Sequence, residues 1–336
     1  MKRLAIYLAT LCIALASCIT EDTPPDTPGG NFDFLWKILD SRYCFFNEKK
    51  EQYGVDWSEV YSRYKPQVKP NMTSEQLFRL CAQMLAELRD GHVNLTASHD
   101  MARYWKWFED YPTNFSDSIL RIYMGTDYRI AAGIKYRKLG KDIGYMRVAT
   151  FENAIGGGNV SEILRHFALC KTLIIDVRNN GGGMITSAEK LASHFVNAKT
   201  LVGYIRHKNG KGHNDFSSPK AVYLSPAAGI RWLKPVVILT NRQTYSAANT
   251  FVMFMKELAH VKTVGDKTGG GAGMPFSSEL PNGWGVRFSA CPMYDAKMRA
   301  NEEGIEPDVK VNITTEDYQR GTDTIIETAI KTLNSK

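Results

Sequence analysis

Residues 236–258, VVILTNRQTYSAANTFVMFMKEL, constrain the fold more than any other stretch of this chain. Val236 to Leu239 form a short apolar, β-branched run of the kind that makes a buried strand. The polar residues 240–245 turn the chain. From Ser246 onward, Ala247, Ala248, Phe251, Met255 and Leu258 recur at helical spacing. Ser246 therefore stands at a strand-to-helix turn, at a helix N-terminus. Unpaired N–H groups and the helix dipole favour developing negative charge there, which suits a nucleophile. Serine is also an ordinary N-cap, and on this stretch alone the cap is the commoner use.

The flanking pattern is of the same type. Residues 143–148, 172–177, 201–205 and 261–264 read as strands, with helices over 160–169 and 184–195, so the core is α/β. Residues 119–136 alternate loosely and suggest one or two strands. Pro281-Asn282-Gly283 reads as a hairpin turn between 278–280 and 284–288, and a helix over 323–333 closes the chain. Residues 31–88 read as helical. Asp56 with Glu59 caps one helix, and Thr73 with Gln76 forms a capping box before a stripe of Leu77, Leu80, Cys81, Met84, Leu85 and Leu88. Gly91 then permits a sharp exit and leaves His92 on a turn. A histidine held there is either a catalytic base or a turn residue satisfied by hydrogen bonds. The aromatic residues of 101–108 read as packing rather than cleft lining.

Composition excludes several classes. At 43% hydrophobic and 23% charged the chain is an ordinary globular one. Its net charge of +7 is scattered, with no basic stripe for nucleic acid. Lys2 and Arg3, the apolar residues 4–15 and Leu15-Ala16-Ser17-Cys18 form a targeting segment over residues 1–18. Residues 19–31, rich in Thr, Asp, Pro and Gly, read as a flexible tether. Cys44, Cys81, Cys170 and Cys291 lack metal-ligand spacing, so neither a zinc site nor another metal or cofactor is expected. A Cys44–Cys81 bridge is left open by the sequence.

Gly181-Gly182-Gly183 follows the strand ending near Asp176 and precedes a helix. It is not G-x-G-x-x-G and no G-K-[ST] follows, so nucleotide binding is poorly supported. A tight turn and an oxyanion hole remain, and they are compatible.

Six blocks in order resemble peptidase family S41, the tail-specific and tricorn-like serine proteases. They are Leu88–His92, 143–151, 173–183, 240–249, 264–273 and Gly304-Ile305-Glu306-Pro307-Asp308. The resemblance implies a ClpP/crotonase-like α/β core over 111–336 behind an N-terminal helical region over 32–110. It implies Ser246 as nucleophile, with the N–H groups of Gly182 and Ala247 as oxyanion hole. Processing-type members carry a lysine base in a T-F-G-K-G loop. Here the loop reads Thr268-Gly269-Gly270-Gly271-Ala272, and Lys267 is out of register. The tricorn-like branch uses a histidine, which makes His92 the expected base, supported by a late glutamate. Glu303 is taken for that support, with Glu302 its alternative. Gly91 replaces the serine that tricorn-like members carry beside the histidine. The roughly 50 residues between His92 and Ile143 are too few for the family's PDZ domain.

The leader resembles a bacterial lipobox with Cys18 as lipidated residue, and Glu21-Asp22 resembles the export signals of Bacteroidetes lipoproteins. The expectation is a serine endopeptidase of the cell envelope, lipid-anchored at the outer membrane and acting on peptides or proteins. A catalytically inactive, ligand-binding lipoprotein of the same fold is the alternative. A crotonase-type acyl-CoA enzyme ranks last, since CoA is not expected outside the cell.

Overall fold

Strands that are apolar on both faces need cover on both, and this requirement organises the chain. The computed structural model describes residues 24–334. Its strands, in chain order, are β1 (Asn94–Thr96), β2 (Met101–Arg103), β3 (Arg129–Ala131), β4 (Ile134–Leu139), β5 (Ile143–Arg147), β6 (Thr172–Asp176), β7 (Thr200–Ile205), β8 (Lys220–Leu224), β9 (Val236–Thr240), β10 (Val261–Gly265), β11 (Gly273–Glu279), β12 (Gly285–Tyr294) and β13 (Val309–Lys310). One sheet runs β13-β10-β9-β6-β5-β4-β3. It is parallel from β13 to β5 and antiparallel beyond. Every residue of β5 and β9 is buried. The helices Gly157–His166, Ile185–Ala192 and Ala247–Lys256 supply apolar residues to one face. Asp117–Met124 and Thr324–Asn334 supply the other. The expected α/β class, with helices at the N-terminal end, is the observed one.

The second sheet runs β2-β1-β12-β7-β8, with β11 on the other flank of β12. The N-terminal helices pack on it, so that Phe32, Leu35, Leu39 and Leu77 share one core with Leu95, Val286 and Phe288. The expected boundary at residue 110 is therefore not a structural division. β1 and β2 lie before it and pair, directly or through each other, with β12. The residues between His92 and Ile143 form β1 to β4 and two helices, Lys106–Glu109 and Asp117–Met124.

Three other expectations change. The first described helix begins at Pro28, so the expected tether over 19–31 does not extend to Asn31, which is buried. Thr27 Oγ1 accepts the Gly30 N–H at 3.1 Å, and proline at the first helical position completes the start signal. Residues 117–124 are helical rather than extended, because Ser116 caps them and Ile119, Leu120 and Met124 bury one helical face. β8 falls where no element was expected. Cys44 and Cys81 are both buried free thiols. The leader and Cys18 lie outside the described residues.

Candidate active site

The turn after β9 delivers Ser246 in a conformation that side chains rarely adopt, at φ +56°. Strain of this kind costs roughly 1–3 kcal/mol and persists only where surrounding contacts impose it. Here the Ser246 N–H donates to Gly270 O at 2.9 Å and the Tyr245 N–H to Asn180 O at 3.0 Å, so both glycine loops strap the turn. Ser246 occupies the N-cap position of Ala247–Lys256, yet its side chain caps nothing. Its Oγ lies 3.0 Å from His92 Nε2 instead. Of the two roles open to this serine, capping by its hydroxyl is the one it does not perform.

His92 arrives from the opposite direction, after the helix Ser74–Ala86 and just before β1. Asp90 Oδ1 accepts the His92 backbone N–H at 2.7 Å, and Tyr43 Oη donates to Asp90 Oδ2 at 2.8 Å. Asn94 Nδ2 donates to His92 O at 2.7 Å. The second ring nitrogen, Nδ1, lies 3.3 Å from Ser289 Oγ on β12. With Nε2 accepting from the Ser246 hydroxyl, Nδ1 carries the proton and donates to Ser289. Burial pushes the His92 pKa down to about 4; Asp90 pulls it upward, while Arg287 and Arg103 add to the depression. The ring is therefore neutral at physiological pH, the form that can take a proton.

Glu303 is not where the sequence reading put it. It accepts Lys49 Nζ at 2.7 Å and Tyr53 Oη at 2.9 Å, both from the N-terminal helix Phe46–Tyr53. Glu302 is the buried member of the pair and accepts the Ala272 N–H at 2.8 Å. Burial first, then Asp90, pushes its pKa well up. Neither glutamate bonds the His92 ring; Ser289 does. Nothing local in the sequence marks Ser289. A β-bulge lies between the pairs Met274–Cys291 and Pro275–Ser289. Such a bulge re-aims side chains, and the alternation of a strand does not reveal it.

Gly271 explains why histidine and the family lysine exclude one another. A Cβ there would lie 2.6 Å from Tyr245 Cζ and 2.9 Å from His92 Cε1, on a backbone at φ +73°. The imidazole fills the space a side chain from this loop would need. Lys267 points elsewhere, with Nζ 3.6 Å from Glu306. Gly271→Lys is therefore expected to displace His92 rather than build a serine–lysine pair. Its labelling rate with a fluorophosphonate should fall by roughly 100-fold, the scale set by ångström misplacement of a reacting group. Labelling at the wild-type rate would contradict this.

The two expected oxyanion donors differ. Ala247 is the first helical residue, so its N–H has no acceptor within the helix. A Cβ on Gly182 would lie 2.7 Å from Ser246 Cβ and 2.9 Å from Ala247 N, so the loop presses against the serine and only glycine fits. The Gly182 N–H, however, donates to Asn180 Oδ1 at 2.9 Å and is engaged in this structure. Below the loop, the wholly buried Arg178 donates to Asp176 and Asp323 at 2.7–2.8 Å. Burial alone would raise the Asp176 carboxyl, but Arg178 and Arg147 outweigh it and hold it at about 2.

A cleft of about 610 Å³ opens over Ser246. Trp105, Trp107 and Phe108 line it, so this aromatic segment is cleft wall and not packing alone. Trp107 also stacks on Tyr245 with ring centroids 4.0 Å apart. A serine hydroxyl beside a neutral imidazole, with helix N-terminal amides below and an open cleft above, is the arrangement acyl transfer requires.

The profile of peptidase family S41 matches residues 142–311, half of the chain. The chain belongs to peptidase family S41. The tricorn protease C1 domain matches residues 24–86, which accounts for the N-terminal helices. A CtpA-like serine protease of Staphylococcus saprophyticus is 28% identical over 184 residues, 53% of this chain and 35% of that protein. A tricorn-like protease C-terminal subunit of Sulfurisphaera tokodaii is 31% identical over 175 residues, 49% of this chain and 18% of that protein. The matched part thus spans about a third or less of these curated S41 relatives. Among solved structures, a candidate peptidase of Parabacteroides merdae is 51% identical, covering 92% of this chain and 97% of that one with a TM-score of 0.87. Mature CPAF is 12% identical at a TM-score of 0.73, covering 91% and 96%, and shares the fold.

Proposed function

We propose that this S41 chain is an active serine endopeptidase in which Ser246 attacks the peptide carbonyl as His92 Nε2 takes its proton. The carrying observation is the 3.0 Å separation of Ser246 Oγ and His92 Nε2. Ser289 holds the imidazole with its proton on Nδ1 and is a positioning residue. The Ala247 N–H faces the developing oxyanion, and the Gly182 N–H becomes the second donor when Asn180 releases it. His92 then returns the proton to the departing amine, and water resolves the acyl-enzyme. A neutral, acid-paired site with no reactive serine would favour the alternative, a ligand-binding lipoprotein. The depressed His92 pKa and the strained, uncapping Ser246 favour the peptidase. Lipidation at Cys18, and with it attachment to the outer membrane of a cell envelope, is the part of this reading that rests on the leader sequence.

The test is hydrolysis of a quenched peptide library by the purified chain, with Ser246→Ala alongside. Cleavage by the wild type and none by the variant supports the proposal. Equal cleavage by both assigns the activity to another site or a contaminant.

The pH profile carries a second expectation. The His92 pKa is lowered from 6.5 to about 4, so the neutral base persists as pH falls until that range is reached. The kcat/KM profile should stay level from pH 7 to about pH 5 and fall below it, not near 6.5. The unfolded chain binds a proton between pH 6.5 and 4 that the folded one refuses. Stability conferred by the neutral ring is therefore lost progressively across that window as pH falls. An acid limb centred at 6.5 in a protein still folded would contradict the assignment.

A further inference from the structure

The cleft has an electrostatic asymmetry that the acyl-transfer chemistry does not use. Asn94 on β1 pairs with Arg103 on β2 and with Arg287 on β12. Three side chains in one cross-strand row point to the same face of the sheet, and all three line the cleft over Ser246. Ion pairs elsewhere take up Arg63, Arg137, Arg147, Arg178, Arg299 and Arg320. Arg103 and Arg287 form no ion pair among the described residues. Arg103 Nε is buried without a hydrogen-bond partner, and its guanidinium carbon lies 4.7 Å from the Trp105 ring centroid and 5.9 Å from that of Tyr245. The carboxylate that acts on it is Asp90, whose oxygens are already committed to the His92 N–H and Tyr43. Glu152 is the acidic residue lining the cleft, and it comes from the loop beside Gly183 and not from the arginine row.

Two guanidiniums in one cleft repel each other, and the half-buried Arg103, with its Nε unpartnered, is the one that an incoming anion would relieve. Guanidinium is also the group best shaped for a carboxylate, which it binds through paired N–H donors. The row lies on the His92 side of the serine, since Asn94 is two residues from His92 and bonds its carbonyl. In acyl transfer the imidazole protonates the leaving amine, so the segment leaving with that amine runs past this side.

We infer that Arg103 and Arg287 form a carboxylate-binding subsite for the leaving segment of the substrate, so that the peptides preferred are acidic just C-terminal to the scissile bond or end there in a free carboxylate. This rests on the peptidase reading above and specifies its substrate class.

The experiment uses one quenched peptide sequence with Glu, Gln or Lys on the leaving side, each with a free or an amidated C-terminus. The wild type should cleave the Glu or free-acid peptides at least ~10-fold better in kcat/KM than neutral ones, the scale of a charge-assisted bidentate contact. Preference for Glu irrespective of the terminus identifies a side-chain carboxylate. Preference for the free terminus irrespective of the side chain identifies the chain end. Arg103→Gln and Arg287→Gln should bring the ratio towards unity, and Arg287→Glu should shift it towards Lys. Arg287 is exposed on its strand, so its variants carry the test if Arg103→Gln misfolds. Equal rates for all wild-type substrates, or a preference that survives both Arg287 variants, would overturn the inference. Binding of the same peptides to Ser246→Ala, read by fluorescence anisotropy, separates the two proposals. A carboxylate preference in binding with no turnover by wild type defeats the peptidase reading and leaves the subsite standing. Turnover without preference does the reverse.

Discussion

Replacing His92 with alanine is expected to lower kcat/KM by roughly 10⁴-fold or more for any peptide the wild type cleaves. A serine hydroxyl is far too weak an acid to ionise at neutral pH, so its reactivity depends on a base within hydrogen-bond reach. Here that base is the imidazole 3.0 Å away. The loop that carries the family lysine does not replace it: Gly271 has no room for a side chain, and Lys267 is turned towards Glu306. The loss should appear in kcat, with KM little changed, because the ring acts on the serine rather than gripping the substrate. Circular dichroism and a melting curve must accompany the kinetics, since His92 is only 5% exposed and its removal leaves a cavity beside Ser289. His92→Gln, which retains volume, should lose activity to a similar degree. A folded variant that keeps more than a tenth of wild-type kcat/KM would show that the serine draws its reactivity from elsewhere.

Lys49→Met should cost about 3–5 kcal/mol of folding stability, the range for removing one partner of a buried charge pair. Lys49 is 1% exposed, on the N-terminal helix Phe46–Tyr53, and its ammonium reaches Glu303 at 2.7 Å. Burial alone would depress its pKa, but Glu302, Asp90 and Glu303 outweigh that and raise it above the ordinary lysine value. One buried ammonium thus pairs with Glu303 and lies in the field of Glu302 and Asp90, and without it the Glu303 carboxylate loses its charged partner. The consequence reaches the catalytic pair, because neighbouring residues of the same cluster hold His92 and the Gly271 loop in place. Asp90 fixes the His92 backbone, the Glu302 carbonyl accepts the Gly271 N–H at 3.0 Å, and the Glu303 carbonyl accepts Arg242 Nη1 at 3.0 Å. Urea unfolding should therefore show the stability loss, and activity in the residual folded protein should fall with it. A midpoint shift worth less than 1 kcal/mol would mean that the cluster contributes little to docking.

The parts of this molecule that are local in sequence were legible there. Residues 236–239 are apolar on both faces and form most of the fully buried β9, and Thr73 with Gln76 forms the capping box their spacing predicts. Ser246 at a helix N-terminus and His92 on a turn each stand out locally, and the fold brings them together across 154 positions. What failed was non-local or irregular. Glu302 and Glu303 are adjacent letters that the sequence does not tell apart, and neither contacts the imidazole. Its partner is Ser289, from a bulged strand almost 200 positions away. The resemblance implies the Gly182 amide as an oxyanion donor, but its direction is set by the Asn180 side chain. Residues 119–124 have strand-like spacing but form a helix, because Ser116, upstream of them, caps one there. Trp105 and Trp107 read as packing in the sequence because nothing in an aromatic cluster says which side of it is open, and they line the cleft.

The central claim is that Ser246 is a nucleophile activated by His92, and mass-spectrometric mapping of a fluorophosphonate adduct tests it most directly. A single adduct on the peptide containing Ser246, formed by the wild type and absent from His92→Ala, is the predicted result. No adduct in the folded wild type, or an adduct that forms as fast without His92, would contradict it.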